Sequence, residues 1–466
     1  MTQQTDPIVE AWQEAVQAEV KTRPWFAALL LQKGNQLLAR FATFYARLTA
    51  VGQRTRRRVA VGVGTAALAL ALSSAPTPAH ANTITVTPDA IGINIGDGCS
   101  LVEAIINANN DALTHAECTA GSGADTIVLA GGTYSYTTAN GYLSALPHIT
   151  TPITIEANGA TIQRTDGGAN MRIITITSGS SLTLNNATIT GGNVSTSGGG
   201  IYVSLNSTLI INNSTISGNT AGVRGGGISN HSTMTSTLNN STVSGNTATN
   251  DGGGINKSGA GTLILNNSTV SDNTSTSGAG GGVHNFSSTI SLNRSIVSGN
   301  TASTNREINI TDSGATANVD NFNIIGHSGD SGSNVTINSP TIVPSGALNT
   351  VLSPLADNGG PTLTHALVAG SSAIDIILTT DPACDPGVSV DQRGAVRADG
   401  VNRGGTACDA GSFEYDSNQT PSAVTLQSIT AINQQGGLAA LMATLLTALS
   451  GIWLWARRPG QAQNEA

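Results

Sequence analysis

The chain has 466 residues, 55 of them Gly, with only 3% aromatic and 10% charged. Ordinary soluble domains are about 25% charged, so a charge-coated globule is excluded, while 39% hydrophobic residues exclude plain disorder. The net charge of −8 is +5 over residues 1–81, −14 over 82–435 (nine bases, twenty-three acids) and +1 over the remainder. A middle zone so poor in bases cannot neutralise phosphates, which excludes nucleic-acid binding.

Length alone suggests two to four domains. Residues 1–53 form a basic extension in which Leu30, Leu37, Leu38, Phe41, Tyr45 and Leu48 line one helical stripe, with Lys33, Arg40 and Arg47 on another side. Three readings fit equally: a basic helix on the inner membrane surface before export, an ordinary amphipathic helix, or sequence upstream of the true translation start. Residues 54–81 then read as a signal peptide. Arg54, Arg56, Arg57 and Arg58 precede the 14-residue apolar run Val59–Leu72, and Ala79-His80-Ala81 supplies the small-residue cleavage site. That run is shorter than the roughly 20 residues a membrane span needs, and cleavage is expected between Ala81 and Asn82.

A 27-residue repeat governs the middle. Asn-Asn begins at Asn185, Asn212, Asn239 and Asn266, with Asn293-Arg294 next. In phase with it run Leu184, Ile211, Leu238, Leu265 and Leu292, and likewise Ile189, Ile216, Val243, Val270 and Val297. Asn219, Asn246, Asn273 and Asn300 make a further class. Triple glycines precede Ile201, Ile228 and Ile255, then Val283 after one added residue. Stepping back 27 residues from Leu182 reaches Ile155 and then Val128; from Ile189 it reaches Ile162. Stepping forward from Val297 reaches Ile324, so the grid implies about eight coils over residues 125–325.

Leu182/Leu184, Leu209/Ile211 and Leu263/Leu265 alternate with period two, as strands do, while Gly and Asn cluster between them as turns require. An α-solenoid needs 3.6-residue periodicity, and a leucine-rich repeat needs its own Leu frame; neither is present. The reading is therefore all-β: a right-handed parallel β-helix with about three short strands per coil. Equivalent residues stack at about 4.8 Å, so inward Ile, Val and Leu fill a narrow core without aromatics. Both Asn classes become amide ladders, and outward Ser and Thr hydroxyls satisfy one another. Like-charge columns would repel along the stack, which explains the missing charge. Arg224 and Asp251, 27 apart, should form a surface ion pair worth about 0–1 kcal/mol. Sequons such as Asn213-Ser214-Thr215 read either as ladder turns or as glycosylation sites, the former fitting the repeat.

Exposed strand ends need caps, expected at residues 82–124 and 326–420. The four cysteines allow three pairings. If the rod separates the two local sets, only Cys99–Cys118 and Cys384–Cys408 fall within disulfide reach. Beyond a linker at 421–435, the uncharged Gly436–Ala456 ends in Trp453, Trp455 and Arg457-Arg458. Residues 436–458 thus read as a membrane or sorting segment, with 459–466 as a cytoplasmic tail and the middle zone facing outward. Whether the segment is a lasting anchor or is later cleaved stays open.

Two stretches resemble known bacterial surface domains. Cys99-Ser-Leu-Val-Glu-Ala-Ile105 followed by Asp125-Thr-Ile-Val-Leu resembles the CSLREA-type N-terminal domain, with Val102 where that motif has Arg. Ser353-Pro-Leu-Ala-Asp-Asn-Gly-Gly-Pro-Thr362, Asp391-Gln-Arg-Gly394, Arg397 and Cys408-Asp-Ala-Gly-Ser-Phe-Glu-Tyr415 resemble the choice-of-anchor Q domain. The resemblance implies an exported or cell-surface bacterial protein whose tail is a sorting signal. It carries no catalytic residues, and the tail lacks the Ile-Pro-Thr-Leu or Pro-Glu-Pro signature of known sorting classes.

Two functions follow as expectations. The first is a non-catalytic surface protein, adhesive, carbohydrate-contacting or structural, whose partner is a polysaccharide or other cell-surface ligand. The alternative is a polysaccharide lyase or glycoside hydrolase. Hydrolysis needs two carboxylates about 5–9.5 Å apart, and no two coil acids among Asp125, Glu156, Asp166, Asp251, Asp272, Glu307, Asp312 and Asp320 fall in register. No catalytic or cofactor-binding residue is assigned. Asp375, Asp385, Asp391, Asp399 and Asp409 crowd the second cysteine pair and form either a solvated acidic cap or a Ca²⁺ site. His231, His284 and His327 stand isolated and are expected at the surface.

Overall fold

The computed structural model describes residues 81–88, 93, 96–319, 321–385, 389–397 and 407–415. The basic extension, the signal peptide up to residue 80, the linker, the 436–458 segment and the tail lie outside the described residues, as do Asp320 and Asp399. Among the described residues no helix is long and apolar enough to cross a membrane.

The middle of the chain is a parallel β-solenoid of stacked sheets. Its long sheet has nine strands, running from Thr83–Thr85 through Asp125–Val128, Ser181–Asn185 and Thr262–Asn266 to Thr316–Asn318. A second sheet of eight strands includes Thr188–Thr190, Thr215–Ser217 and Thr242–Ser244. A short sheet of four strands includes Thr220–Ala221, and a glycine-led sheet of six includes Ile201–Val203 and Ile228–Asn230. The central coils therefore hold four strands rather than three, because a two-residue strand fits between the buried Asn and the glycine turn. From Asp125–Val128 to Thr316–Asn318 the long sheet makes about seven turns, so the expected eight counts rungs rather than steps.

The 27-residue register holds through the centre, where Leu182 pairs with Leu209 and Ile216 with Val243. The added residue before Val283 is absorbed in the turn, leaving Ile255 opposite Val283. At the ends the grid drifts. Leu182 pairs with Ile153 and Leu184 with Ile155, and Ile155 pairs with Ile127, while Val128 lies opposite Glu156. At the far end Val297 meets Ile325 and Ile296 meets Ile324. Turns lengthen there by one or two residues, and the inward positions follow the apolar pattern rather than the fixed step, since a one-residue slip would expose them. Ile127, Ile155, Leu184, Ile211, Leu238, Leu265 and Leu292 form one such column, fully buried. Each contributes about 1.5–3 kcal/mol through apolar burial.

The two residues of each Asn-Asn pair have separate tasks. The first makes a half-buried ladder: Asn212, Asn239, Asn266 and Asn293 each donate Nδ2 to the Oδ1 of the Asn before it, at 2.7–2.9 Å. Asn185 ends this ladder by donating to the carboxylate of Glu156. The second residue is the turn: Asn186, Asn213, Asn240, Asn267 and Arg294 have φ between 45° and 54°, the left-handed region in which Asn is tolerated.

The other ladder runs the opposite way. Asn219, Asn246 and Asn273 donate Nδ2 to Asn246, Asn273 and Asn300 in turn, at 2.9–3.0 Å. Asn300 donates to Glu307 Oε2 at 2.6 Å, and the Gly299 amide donates to Oε1 at 2.9 Å. Both ladders thus finish on a carboxylate, at opposite ends of the solenoid. Burial pushes the Glu307 carboxyl up to about 8, outweighing the donors from Asn300 and Gly299. A third column was not expected: the amides of Ser214, Ser241 and Ser268 donate to the hydroxyls of Ser241, Ser268 and Ser295.

The triple glycines are required by close packing. Gly225 has φ +64°, and a Cβ on Gly226 would stand 2.5 Å from the carbonyl oxygens of Gly253 and Thr247. The inward third position of the glycine-led strands is apolar at Val203 and Ile310 but polar between them, at Asn230, Lys257 and Asn285, all fully buried. Asn230 donates to Ser236 Oγ, and Lys257 Nζ donates to the Ser232 and Gly259 carbonyls, so each inward polar group ties down the following turn.

At the N-terminal end, Thr83–Thr85 is itself the first rung. Helix α1, Leu101–Asn110, packs Leu101, Val102 and Ile105 into the core. A reciprocal capping box of Ser100 and Glu103 starts it, and Cys99 is bonded to Cys118 with a Cα separation of 4.6 Å. Cys384 is bonded to Cys408 with a Cα separation of 5.7 Å.

The segment from 326 onward is not a simple end cap. Ile342 bridges Ile324, and Val335 and Ile337 pack on the last coil, so residues up to about 347 close the end. The described residues between 348 and 415 instead return along the second sheet. Thr362 Oγ1 donates to the Asn213 carbonyl, and Thr215 Oγ1 to that of Leu363. Thr242 bonds Gln392 Oε1 and Ser412, and Ser244 bonds His365 Nε2. Arg294 pairs with Asp381 at 3.2 Å. Thr215, Thr242, Ser244 and Thr269 of this sheet therefore pair with the returning segment, not with one another, while Ser271 Oγ is buried without a partner.

Candidate ligand-binding face

The glycine-led strands carry their outward side chain at the middle position, and register stacks Thr175, Tyr202, Ser229, Asn256, His284 and Asn309 in one column. Beside it the next residue but one forms a second column, His231 following Ser204 and preceding Ser258. The two columns are knitted together. His231 lies against the Tyr202 ring with centroids 5.1 Å apart, its Nε2 3.0 Å from Ser229 Oγ and its Nδ1 2.8 Å from Ser258 Oγ. His284 Nδ1 is 2.9 Å from Asn256 Oδ1.

Charged groups border the columns. Arg224 Nε and Asp251 Oδ2 are 3.1 Å apart, as their register predicts, with half of the Arg224 side chain exposed. The Arg172 guanidinium lies 4.9 Å from the Tyr202 ring centroid, donating to Thr196 Oγ1 at 2.7 Å and the Ser197 carbonyl at 3.1 Å. Two donors are left without a partner: Nε of Arg172, a residue 7% exposed, and Nδ2 of the fully buried Asn256. The exposed large apolar residues Tyr142, Leu205, Met234 and Phe286 sit in connecting turns, the last three following glycine-led strands.

Burial holds the His231 imidazole below its ordinary range, reinforced by Lys257 and Arg224; burial does the same to His284, against the pull of Asp251. Both rings are therefore neutral donor–acceptors at neutral pH. Burial opposes ionisation of Asp251, but the Ala279 amide, His284 and Arg224 outweigh it and hold the carboxyl below its ordinary range. Lys257, beneath the face, is pushed down to about 8 by burial.

The histidines correct an expectation. His284 is only 3% exposed and His231 is half-buried, His231 packed on Tyr202 and bonded to Ser229 and Ser258, and His284 bonded to Asn256. His327 is half-buried, its Nδ1 3.9 Å from Glu307 Oε1. A sequence signal existed: the residue two after each glycine triplet is Tyr202, Ser229, Asn256 or His284.

The acidic residues around the second disulfide have structural partners. Asp391 is fully buried and accepts from the Arg393 guanidinium and the amides of Arg393, Ala395 and Glu414. Asp409, also fully buried, accepts from the amides of Asp375 and Tyr415. Asp385 is exposed. Among the described residues no three His, Cys, Asp or Glu side chains group as a metal site. Signal cleavage is expected just before Asn82, whose Nδ2 donates to the Ala120 carbonyl.

The chain matches no family model, no curated protein and no solved structure.

Proposed function

We propose that the protein is an exported, surface-displayed, non-catalytic β-helix that contacts carbohydrate through the glycine-led face. Right-handed winding is assigned from the general handedness of parallel crossovers. The observation that supports this reading most is the half-buried Tyr202–His231 ring pair, with the exposed Leu205, Met234 and Phe286 in the turns that follow the glycine-led strands, which together set an imidazole and a phenol beside apolar surface. Sugars need that combination: a polar edge for hydroxyls and a flat apolar surface for ring C–H groups. Display is supported by the signal-like 54–81 segment, the 436–458 segment as anchor or sorting signal, and the resemblance of both flanks to bacterial surface domains. Asp251 is held by Arg224 and the Ala279 amide, which favours binding over hydrolysis.

Glycan-array and cell-adhesion assays with the purified protein test this. Binding to at least one glycan class, weakened by Tyr202→Ala, is the expected outcome. Failure to bind any surface removes the adhesive reading, and turnover of a polysaccharide abolished by one acid substitution replaces it with the enzymatic one.

A further inference from the structure

The rings of the glycine-led face stand at a spacing that the coils fix. Backbone bonds carry the register one residue past each strand. The amides of Ser204, His231, Ser258, Phe286 and Thr311 each donate to the last strand residue of the preceding coil, so these five residues form one outward column. His231 and Phe286 lie two coils apart in it, roughly 10 Å at about 4.8 Å per coil, with the small Ser258 between them. Both reach solvent. Phe286 is 50% exposed, and the half-buried His231 is widened sideways by the half-buried Tyr202 ring, with centroids 5.1 Å apart. Neither outward column of this sheet contains Asp, Glu, Lys or Arg.

Two ring platforms on an uncharged strip call for an uncharged ligand that offers apolar faces at the same interval. An extended β-1,4-linked pyranose chain advances by close to one coil, about 4.8 Å, per sugar, and its alternate sugars present the same face. One sugar on the Tyr202–His231 pair therefore puts the next but one over Phe286, with the sugar between them over Ser258. Ser258 Oγ, 2.8 Å from His231 Nδ1, keeps hydrogen-bonding capacity for a sugar hydroxyl. An α-1,4-linked chain coils and cannot hold both sugars in line. An extended peptide rises about 3.3 Å per residue, so the residue reaching the second platform is the third along and turns its side chain to the opposite side.

We propose that the ligand is an unbranched, uncharged β-1,4-linked glycan of at least three sugars, lying along the solenoid axis and stacked on the Tyr202–His231 pair and on Phe286. This rests on the carbohydrate reading above and narrows it to one linkage and one direction of binding.

Titration calorimetry of the full chain against cello- and manno-oligosaccharides of increasing length, with malto-oligosaccharides of equal length, tests this. Affinity in the β-1,4 series should rise by roughly fivefold or more from disaccharide to trisaccharide, as the second platform is engaged. Phe286→Ala should abolish that rise without changing the circular dichroism melt, since half of the residue is in solvent. Phe286→Leu, which keeps the bulk and loses the ring, should do the same and serves if the Ala variant does not fold. Equal binding of the malto series overturns the β-linked assignment while leaving the carbohydrate reading intact. Affinity that does not rise with length, or a rise that survives loss of the Phe286 ring, overturns the two-platform geometry. No binding of any saccharide overturns both proposals. A dimer of the parent chain that Phe286→Ala dissolves in sedimentation velocity gives the platforms to a second copy and overturns the glycan site.

Discussion

Two long faces of the solenoid are built from the same repeat and are equally rich in Ser, Thr and Asn, yet they end in opposite states. On the second sheet, Thr215, Thr242, Thr269 and Ser244 are bonded to Leu363, Gln392, Ser412 and His365 of the returning segment. On the glycine-led side, Arg172 Nε and Asn256 Nδ2 are buried without a partner, as Ser271 Oγ is on the second sheet, while Ser229, His231 and Ser258 bond one another. A polar column on a β-solenoid is therefore not in itself a binding surface. What distinguishes the two faces is the partner each column finds: residues of the returning segment on the second sheet, neighbouring columns of the coils themselves on the glycine-led one.

Removing a support of the covered face should have the largest effect. Asp391→Ala strips the partner from buried Arg393 and three amides, at an expected cost of about 3–5 kcal/mol. Urea denaturation measures the loss, and limited proteolysis should cut first within residues 348–415; an unchanged midpoint contradicts the buttress role.

The ladder terminus gives a pH-dependent effect. The folded state holds the Glu307 proton more tightly than the unfolded chain, whose carboxyl titrates near 4.5, against about 8 when folded. Its contribution is full below about pH 4.5 and is lost as pH rises through about 8. Melting temperature should fall across that window, and Glu307→Gln, which keeps a neutral group there, should flatten the fall. A Glu307→Gln profile that tracks the parent would place the titration elsewhere.

The open face should respond in the opposite sense. Arg172→Met replaces a buried cation that has no carboxylate partner among the described residues, so stability should stay level or rise by about 1 kcal/mol. A loss of stability comparable to that of Asp391→Ala would make Arg172 a structural residue and erase the contrast between the faces. The smallest effect belongs to Arg224→Ala: with half of the Arg224 side chain in solvent, its pair with Asp251 is worth about 0–1 kcal/mol. Double-mutant analysis with Asp251→Ala measures the coupling.

Much of this was legible in the repeat. The Asn ladders, the Leu and Ile columns and the Arg224–Asp251 pair follow from phase, because in a stacked coil a sequence offset is a spatial neighbour, and both disulfides follow from the separation of two local cysteine pairs by the rod. The register drift at Ile127 and Ile325 was not legible, since turn length varies where coils meet the ends. Nor was α1 anticipated, although Ser100-Leu-Val-Glu103 spells its capping box. The buried His284 was misjudged because the glycine phase shows which residues share its column but not that side chains of neighbouring coils pack over it.

The scarcity of charge and aromatics, together with the 27-residue phase, by itself determined a parallel stack with a branched aliphatic core, because like-charge columns would repel and stacked aliphatic residues fill a narrow interior without aromatics. Only the tertiary structure decided what happens to each polar column. That outcome depends on where a non-repeating segment, residues 348–415, folds back, and no periodicity records a contact made more than a hundred residues away.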